Sequence, residues 1–185
     1  MNKSRCSWCE KDDLYRNYHD LEWGEPVYDD ALLFEFLVLE TFQAGLSWHT
    51  ILKKREGFRA AFAEFDYTKI AQFGQEEMQR LMQDAGIIRN RLKIQATITN
   101  AQTFMKVQHE FGSFSNYIWG FVEGKPIVNH FKTLSEVPAT TPLSDAISKD
   151  LKKRGFKFVG STVVYAHMQA TGMVNDHLLS CWKRA

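Results

Sequence analysis

The stretch Leu39-Glu40-Thr41-Phe42-Gln43-Ala44-Gly45-Leu46-Ser47-Trp48 decides how the chain is read. Upstream of it, Asp29 is placed to cap a helix through Ala31-Leu32-Leu33-Phe34-Glu35-Phe36-Leu37-Val38-Leu39, which is apolar nearly all round, the pattern of a buried helix. Leu33, Phe36, Leu37 and Glu40 recur at i, i+3, i+4 and i+7, so Glu40 falls on an apolar face. A carboxylate there either finds a partner or takes up a proton, and such groups gather at functional sites. The competing reading ends the helix first and turns Glu40 to water. Gly45 suits the left-handed position that closes a helix, and Ser47 caps the next one, with Trp48, Ile51 and Leu52 as its apolar positions. A Trp at a helix start is ordinarily core packing. Beside a buried glutamate, it also suits a pocket for a flat, hydrogen-bonding ligand.

Working outward, the 185 residues are 44% hydrophobic and 14% aromatic, enough for one globular domain, 1–185, with a substantial core and room for two helical lobes around a pocket. No apolar run approaches the roughly 18 residues of a membrane span, and the N-terminus, with Arg5, Glu10, Lys11, Asp12 and Asp13, lacks the apolar region of a signal peptide. No membrane partner and a cytoplasmic location are therefore expected. Three cysteines, an odd number, argue against a disulfide framework and for free thiols or metal ligands. A net charge of +1 neither demands nor forbids nucleic acid.

Residues 1–28 show few periodic apolar positions and read as a non-helical arm holding Cys6, Trp8, Cys9, Tyr18, His19 and Trp23. An amphipathic stretch, Phe58, Ala61, Phe62 and Phe65, packs on the two central helices. Ile70 to Ala85 and Ile87 to Met105 read as further helices, the second with Ile88, Leu92, Ile94, Ile98 and Ala101 on or near one face. Residues 111–140 are the least regular part. Thr141 and Pro142 start a helix that Gly155 stops. Strand signals are weak throughout, so the fold class is all-α.

The run Leu39 to Trp48 closely resembles the signature of the DNA-3-methyladenine glycosylase I family, within the helix-hairpin-helix DNA glycosylase superfamily. The resemblance extends over almost the whole chain, through Tyr18-His19-Asp20, Glu22-Trp23-Gly24, Asp84-Ala85-Gly86-Ile87-Ile88-Arg89, Thr141-Pro142-Leu143-Ser144-Asp145, Lys152-Lys153-Arg154-Gly155-Phe156-Lys157-Phe158-Val159-Gly160 and Val174-Asn175-Asp176-His177. It implies a base excision repair enzyme that flips 3-methyladenine out of double-stranded DNA and hydrolyses its glycosidic bond, with free 3-methyladenine as product ligand. Glu40 would recognise the base and carry the catalysis, Tyr18 and Trp48 would stack on it, and Trp8 and Trp23 would form the outer wall. No lysine follows Gly160, where lyase-type relatives keep a nucleophile; Ser161, Thr162 and Val163 stand there, so a monofunctional enzyme is expected. Where many superfamily members keep a catalytic Asp, this chain reads Asn175, which leaves a non-catalytic damage-binding module as the alternative.

The segment 156–170 is read as a hairpin ending in Gly160 and followed by a helix. Backbone amides at such a turn can face a phosphate, and Lys152, Lys153, Arg154 and Lys157 supply charge. Gly155, Lys157, Val159, Gly160 and Ser161 are the resulting DNA-binding candidates, although a glycine between helices is by itself more often a plain turn. The cysteines offer a second constellation. His177 and Cys181 stand at i and i+4, read as one helical face, and Cys6 with His19 completes a tetrahedral set. Spacing leaves Cys6 with Cys9 as a competing pair. The family resemblance favours Cys6, His19, His177 and Cys181, hence one structural zinc per chain joining the N- and C-terminal regions; four protein ligands leave no open position, which speaks against a zinc hydrolase. Nothing suggests more than a monomer.

Overall fold

The computed structural model describes residues 3–184. Its helices are α1 (Asp13–Leu21), α2 (Asp30–Gln43), α3 (Trp48–Lys53), α4 (Arg55–Ala61), α5 (Tyr67–Ile70), α6 (Gln75–Gln83), α7 (Arg91–Phe111), α8 (Phe114–Gly120), α9 (Pro142–Arg154) and α10 (Ser161–Ala170). The all-α expectation holds apart from one small addition. Strands β1 (Ile127–Val128) and β2 (Val174–Asn175) form a two-residue parallel pair, too short to leave a periodic signal in sequence.

Helix α2 is the axis. Every residue from Leu33 to Phe42 is buried, as an all-round apolar sequence requires, and α3, α7, α8 and α10 pack against it. Its start and end follow local chemistry. Asp29 accepts a hydrogen bond from the Leu32 amide, and Gly45 adopts φ +83° just beyond the last turn. Ser47 then caps α3 through the Thr50 amide. Phe42 packs on Phe58 of α4 with ring centroids 4.8 Å apart, which places the amphipathic stretch 58–65 where its pattern points. The long α7 closes the other side, with Phe104 against Phe34 at 5.1 Å and Phe114 at 4.2 Å.

Four readings of the sequence need correction. The N-terminal arm is helical over Asp13–Leu21, opened by Asp12, which accepts from the Tyr15 amide. Its inward residues are Tyr18 and His19, a mixed pair that apolar counting does not register. The expected helix from Ile70 to Ala85 is two helices, α5 and α6, separated at residues 71–74. Helix α7 begins only after its cap, Asn90, which accepts from the Lys93 amide; its buried face runs through Lys93, Ile94, Thr97, Ile98 and Ala101 and leaves Leu92 71% exposed. Within 111–140, α8 is more regular than the aromatic-rich sequence indicates.

Helices α9 and α10 form the C-terminal pair. Thr141 caps α9 through Ser144, Pro142 occupies its first turn, and Gly155 ends it at φ +107°, a left-handed conformation that a side chain would resist. Gly160 opens α10. The pair packs on α2 through α10, which carries the C-terminal half of the molecule onto the same helix that bears Glu40.

Candidate functional site

Glu40 lies on the last turn but one of α2, 4% exposed, and no side chain or amide among the described residues hydrogen-bonds its carboxylate. Burial alone pushes its pKa up to about 8. The other glutamate buried in α2, Glu35, is also largely shielded, at 5% exposure, but it accepts from Arg55 Nε at 2.6 Å and from Arg59 Nη2 at 2.9 Å. Arg55 Nη1 in turn donates to Glu22 at 2.6 Å. Five residues apart, the two carboxylates point to different sides of the helix, and only Glu35 meets cations.

Glu40 opens into a cavity of about 260 Å³. Tyr18 from α1 and Trp48 at the start of α3 flank it, ring centroids 5.4 Å apart and tilted by 46°. Trp8 and Trp23 line the outer side, edge to face at 5.0 Å. All five sequence-derived pocket residues thus face one space. Tyr18 Oη and Trp48 Nε1 are buried without a hydrogen-bond partner. Native interiors rarely leave such donors unpaired, so an orphaned carboxylate and two orphaned donors around aromatic walls describe a site for a flat, polar, preferably cationic ligand.

The wall at Trp48 is anchored from behind. Lys93 Nζ donates to the carbonyls of Phe42 and Ala44 at 2.9 and 2.8 Å, satisfying the open end of α2 and holding the turn that leads to Trp48. Asp12, besides capping α1, accepts from His49 Nε2 of α3 at 2.6 Å, and Tyr15 stacks on His49 at 5.0 Å. The helices bearing Tyr18 and Trp48 are thereby tied together.

Beside the pocket, Cys6, His19, His177 and Cys181 bring four donor atoms within 4.8 Å of one another, all buried. Cys181 Sγ lies 3.4 Å from His19 Nε2 and 3.6 Å from His177 Nδ1, and Cys6 Sγ lies 3.8 Å from His177 Nδ1. Tetrahedral zinc bonds of about 2.3 Å to sulfur and about 2.0 Å to nitrogen place ligand atoms roughly 3.3–3.8 Å apart, so the donor set fits. The second nitrogens are engaged as metal-binding imidazoles require. His19 Nδ1 donates to Asp20 at 2.8 Å, and His177 Nε2 donates to the Trp23 carbonyl at 3.0 Å. Arg5 grips Asp20 through two nitrogens and holds its carboxyl well below the usual carboxylate range. Cys9, the competing partner, donates its thiol to the Cys6 carbonyl at 3.1 Å and stays outside the cluster. One premise is corrected: His177 and Cys181 lie in the irregular segment after β2, not on a helix, and a loop brings them together.

In the turn between α9 and α10, Lys157 is clamped by Asn100, which accepts from the Lys157 amide at 2.7 Å and donates to its carbonyl at 3.0 Å. Val159 is buried, its carbonyl accepting from Ser148 at 2.6 Å, so it offers no side chain to a partner. Ser161 Oγ pairs with Ser144 Oγ at 2.7 Å. Gly155 and Gly160 mark the two ends of the turn. Lys152, Lys153 and Lys157 are exposed, whereas Arg154 is committed to Glu110 and Asp150 at 2.8 and 2.7 Å and leaves the basic face.

Residues 8–184 match the family model described as methyladenine glycosylase. The chain belongs to the methyladenine glycosylase family. It is 53% identical to DNA-3-methyladenine glycosylase 1 of Escherichia coli (strain K12), over 96% of this chain and 95% of that protein. A crystal structure of 3-methyladenine DNA glycosylase I superposes with a TM-score of 0.96 at 49% identity, covering 98% of this chain and all of that one. The Staphylococcus aureus 3-methyladenine DNA glycosylase I, solved to explain 3-methyladenine recognition, gives a TM-score of 0.94 at 39% identity, over 98% of this chain and 96% of that chain.

Against this methyladenine glycosylase frame, sequence reasoning missed several pocket residues: Tyr15, Gln43, Gln169 and Asp176. Tyr15 precedes Tyr18 by three residues on α1 and Gln43 follows Glu40 by three on α2, so helical spacing would have found the first had α1 been read as helix and the second had α2 been carried past Leu39. Gln169 and Asp176 carry no local signal. No helix among the described residues is long and apolar enough to cross a membrane.

Proposed function

We propose that this chain is a monofunctional DNA repair glycosylase that flips 3-methyladenine out of alkylated double-stranded DNA and releases it by hydrolysis. The observation that carries the reading is Glu40, a buried carboxylate without a partner among aromatic rings and unpaired donors. Ionised Glu40 favours the positive charge of the methylated base and accepts hydrogen bonds from its edge, while Tyr18 and Trp48 stack on its faces. Trp8 and Trp23 shield it from water. Because the alkylated base is cationic and departs as a neutral purine, the bond is already labile, and holding the flipped nucleotide in place supplies much of the rate. The free base is the product ligand.

The exposed lysines 152, 153 and 157 and the amides at Val159 to Ser161, where α10 opens, support docking of the turn between α9 and α10 on the DNA backbone, in the manner of a helix-hairpin-helix. Among the described residues no lysine lines the pocket, in keeping with hydrolysis without strand cleavage. Cys6, His19, His177 and Cys181 would hold one structural zinc, whose role when bound is to tie the N-terminal segment to the C-terminal one; four protein ligands leave it none in the chemistry. The protein is read as a cytoplasmic monomer.

The test is base release from methylated duplex DNA, resolved by chromatography, with Glu40→Gln as control. Selective release of 3-methyladenine that is lost in the variant supports the reading. Absence of release from folded, zinc-loaded wild-type protein moves the function to damage binding.

A further inference from the structure

Helix α3 buries three side chains, His49, Ile51 and Leu52, and only the first is polar. At 4% exposure, an imidazole on an otherwise apolar face needs a partner from outside its own helix. Helix α1 supplies it. Asp12 Oδ2 accepts from His49 Nε2 at 2.6 Å, while Asp12 Oδ1 accepts from the Tyr15 amide at 3.0 Å. The bond to the Tyr15 amide, and then the bond to His49, lower the Asp12 carboxyl from its usual range and favour its ionised form, the stronger acceptor.

The ring of Tyr15 completes the arrangement. It borders the cavity that holds Glu40 and stacks on the His49 imidazole, centroids 5.0 Å apart and planes 24° from parallel. Trp8 meets it edge to face, also at 5.0 Å. One carboxylate thus fixes both the backbone of Tyr15 and the platform under its ring. His49 does not itself border the cavity, but it follows Trp48 in the chain, and Tyr15 lies one turn before Tyr18 on α1. The Asp12–His49 bond therefore spans the two helices that carry three of the pocket's aromatic rings.

We infer that His49 is a positioning residue for base recognition: gripped by Asp12, it is the platform that keeps the Tyr15 ring at the wall of the pocket. The inference rests on the reading of that cavity as the 3-methyladenine site. A wall of preset rings adds affinity for a flat cationic base because the ligand is spared the cost of ordering them. An aliphatic residue at position 49 would fill the space under Tyr15 but offer its ring no face.

That difference separates positioning from packing. Affinity for free 3-methyladenine, measured by fluorescence titration, is expected to fall about tenfold in His49→Leu. His49→Phe, which restores a ring without the hydrogen bond, should recover most of the loss. Leu and Phe variants of equal affinity would overturn the inference, since either would then serve by bulk alone. A second variant leaves the core of α3 untouched. Asp12→Ser keeps a cap for α1 but is too short to reach His49, so it should weaken binding severalfold in the wild-type background and no further in His49→Phe. Wild-type affinity in Asp12→Ser, or an equal loss in both backgrounds, would overturn the inference as well. Wild-type protein that binds no 3-methyladenine strikes the base-pocket reading itself, whereas wild-type binding with indifferent variants strikes only the role of His49.

Discussion

At Glu40 an acid with an ordinary pKa of 4.5 is lifted to about 8 by burial alone. Between those values the folded chain keeps a proton that the unfolded chain has released, so stability falls as pH rises through the window. Glu40→Gln has no such proton to lose. Its melting temperature should match that of wild type near pH 5 and exceed it increasingly toward pH 8, read by scanning calorimetry; parallel pH dependences would show that Glu40 finds an unseen partner. Saturating free 3-methyladenine is expected to stabilise wild type and to do little for the variant, because the variant lacks the charge-assisted hydrogen bond. Helical counting was enough to place Glu40 on an apolar face. It could not separate Glu40 from Glu35 on the same helix, because the distinction lies in Arg55 and Arg59, which only the packing of α4 brings to Glu35.

Among the elements, the end of α2 is where local and distant chemistry meet. Asp29, Ser47 and Thr141 act on amides three residues away, so their caps are readable from short windows. Lys93 is not. It is 51 residues from Phe42, yet its ammonium occupies the last carbonyls of α2. Lys93→Met keeps the stem and removes the donors, leaving two carbonyls short of a partner. The expected cost is about 1–3 kcal/mol in denaturant unfolding, together with weaker base binding as the turn before Trp48 loosens. A stable variant with wild-type base affinity would mean that water replaces the ammonium. Helix α1 was missed for a related reason. Tyr18 and His19 face inward by virtue of the pocket and the ligand cluster, not of hydrophobicity.

For the molecule as a whole, the four-ligand cluster joins residues near both ends of the chain. Cys6 and Cys181 meet across almost the full sequence, Trp8 follows Cys6 by two residues, and the Trp23 carbonyl accepts from His177. A zinc held there, as proposed, would thus be coupled to the outer wall of the pocket. Metal analysis of protein purified without chelator should find one zinc per chain. Strong chelation should lower the melting temperature by several degrees or more and weaken base binding in parallel, and Cys181→Ser should do the same. A chelated protein with unchanged melting and base release would remove the structural role. The sequence by itself determined the buried character of α2, its caps, the break at Gly45, the α9 and α10 pair and the residue types of both clusters, because periodicity, capping and motif spacing act over one or two helical turns. Tertiary structure alone decided which glutamate is neutralised, which cysteine leaves the cluster and that Asp176 borders the cavity, because those outcomes depend on groups far apart in the chain whose meeting no local pattern encodes.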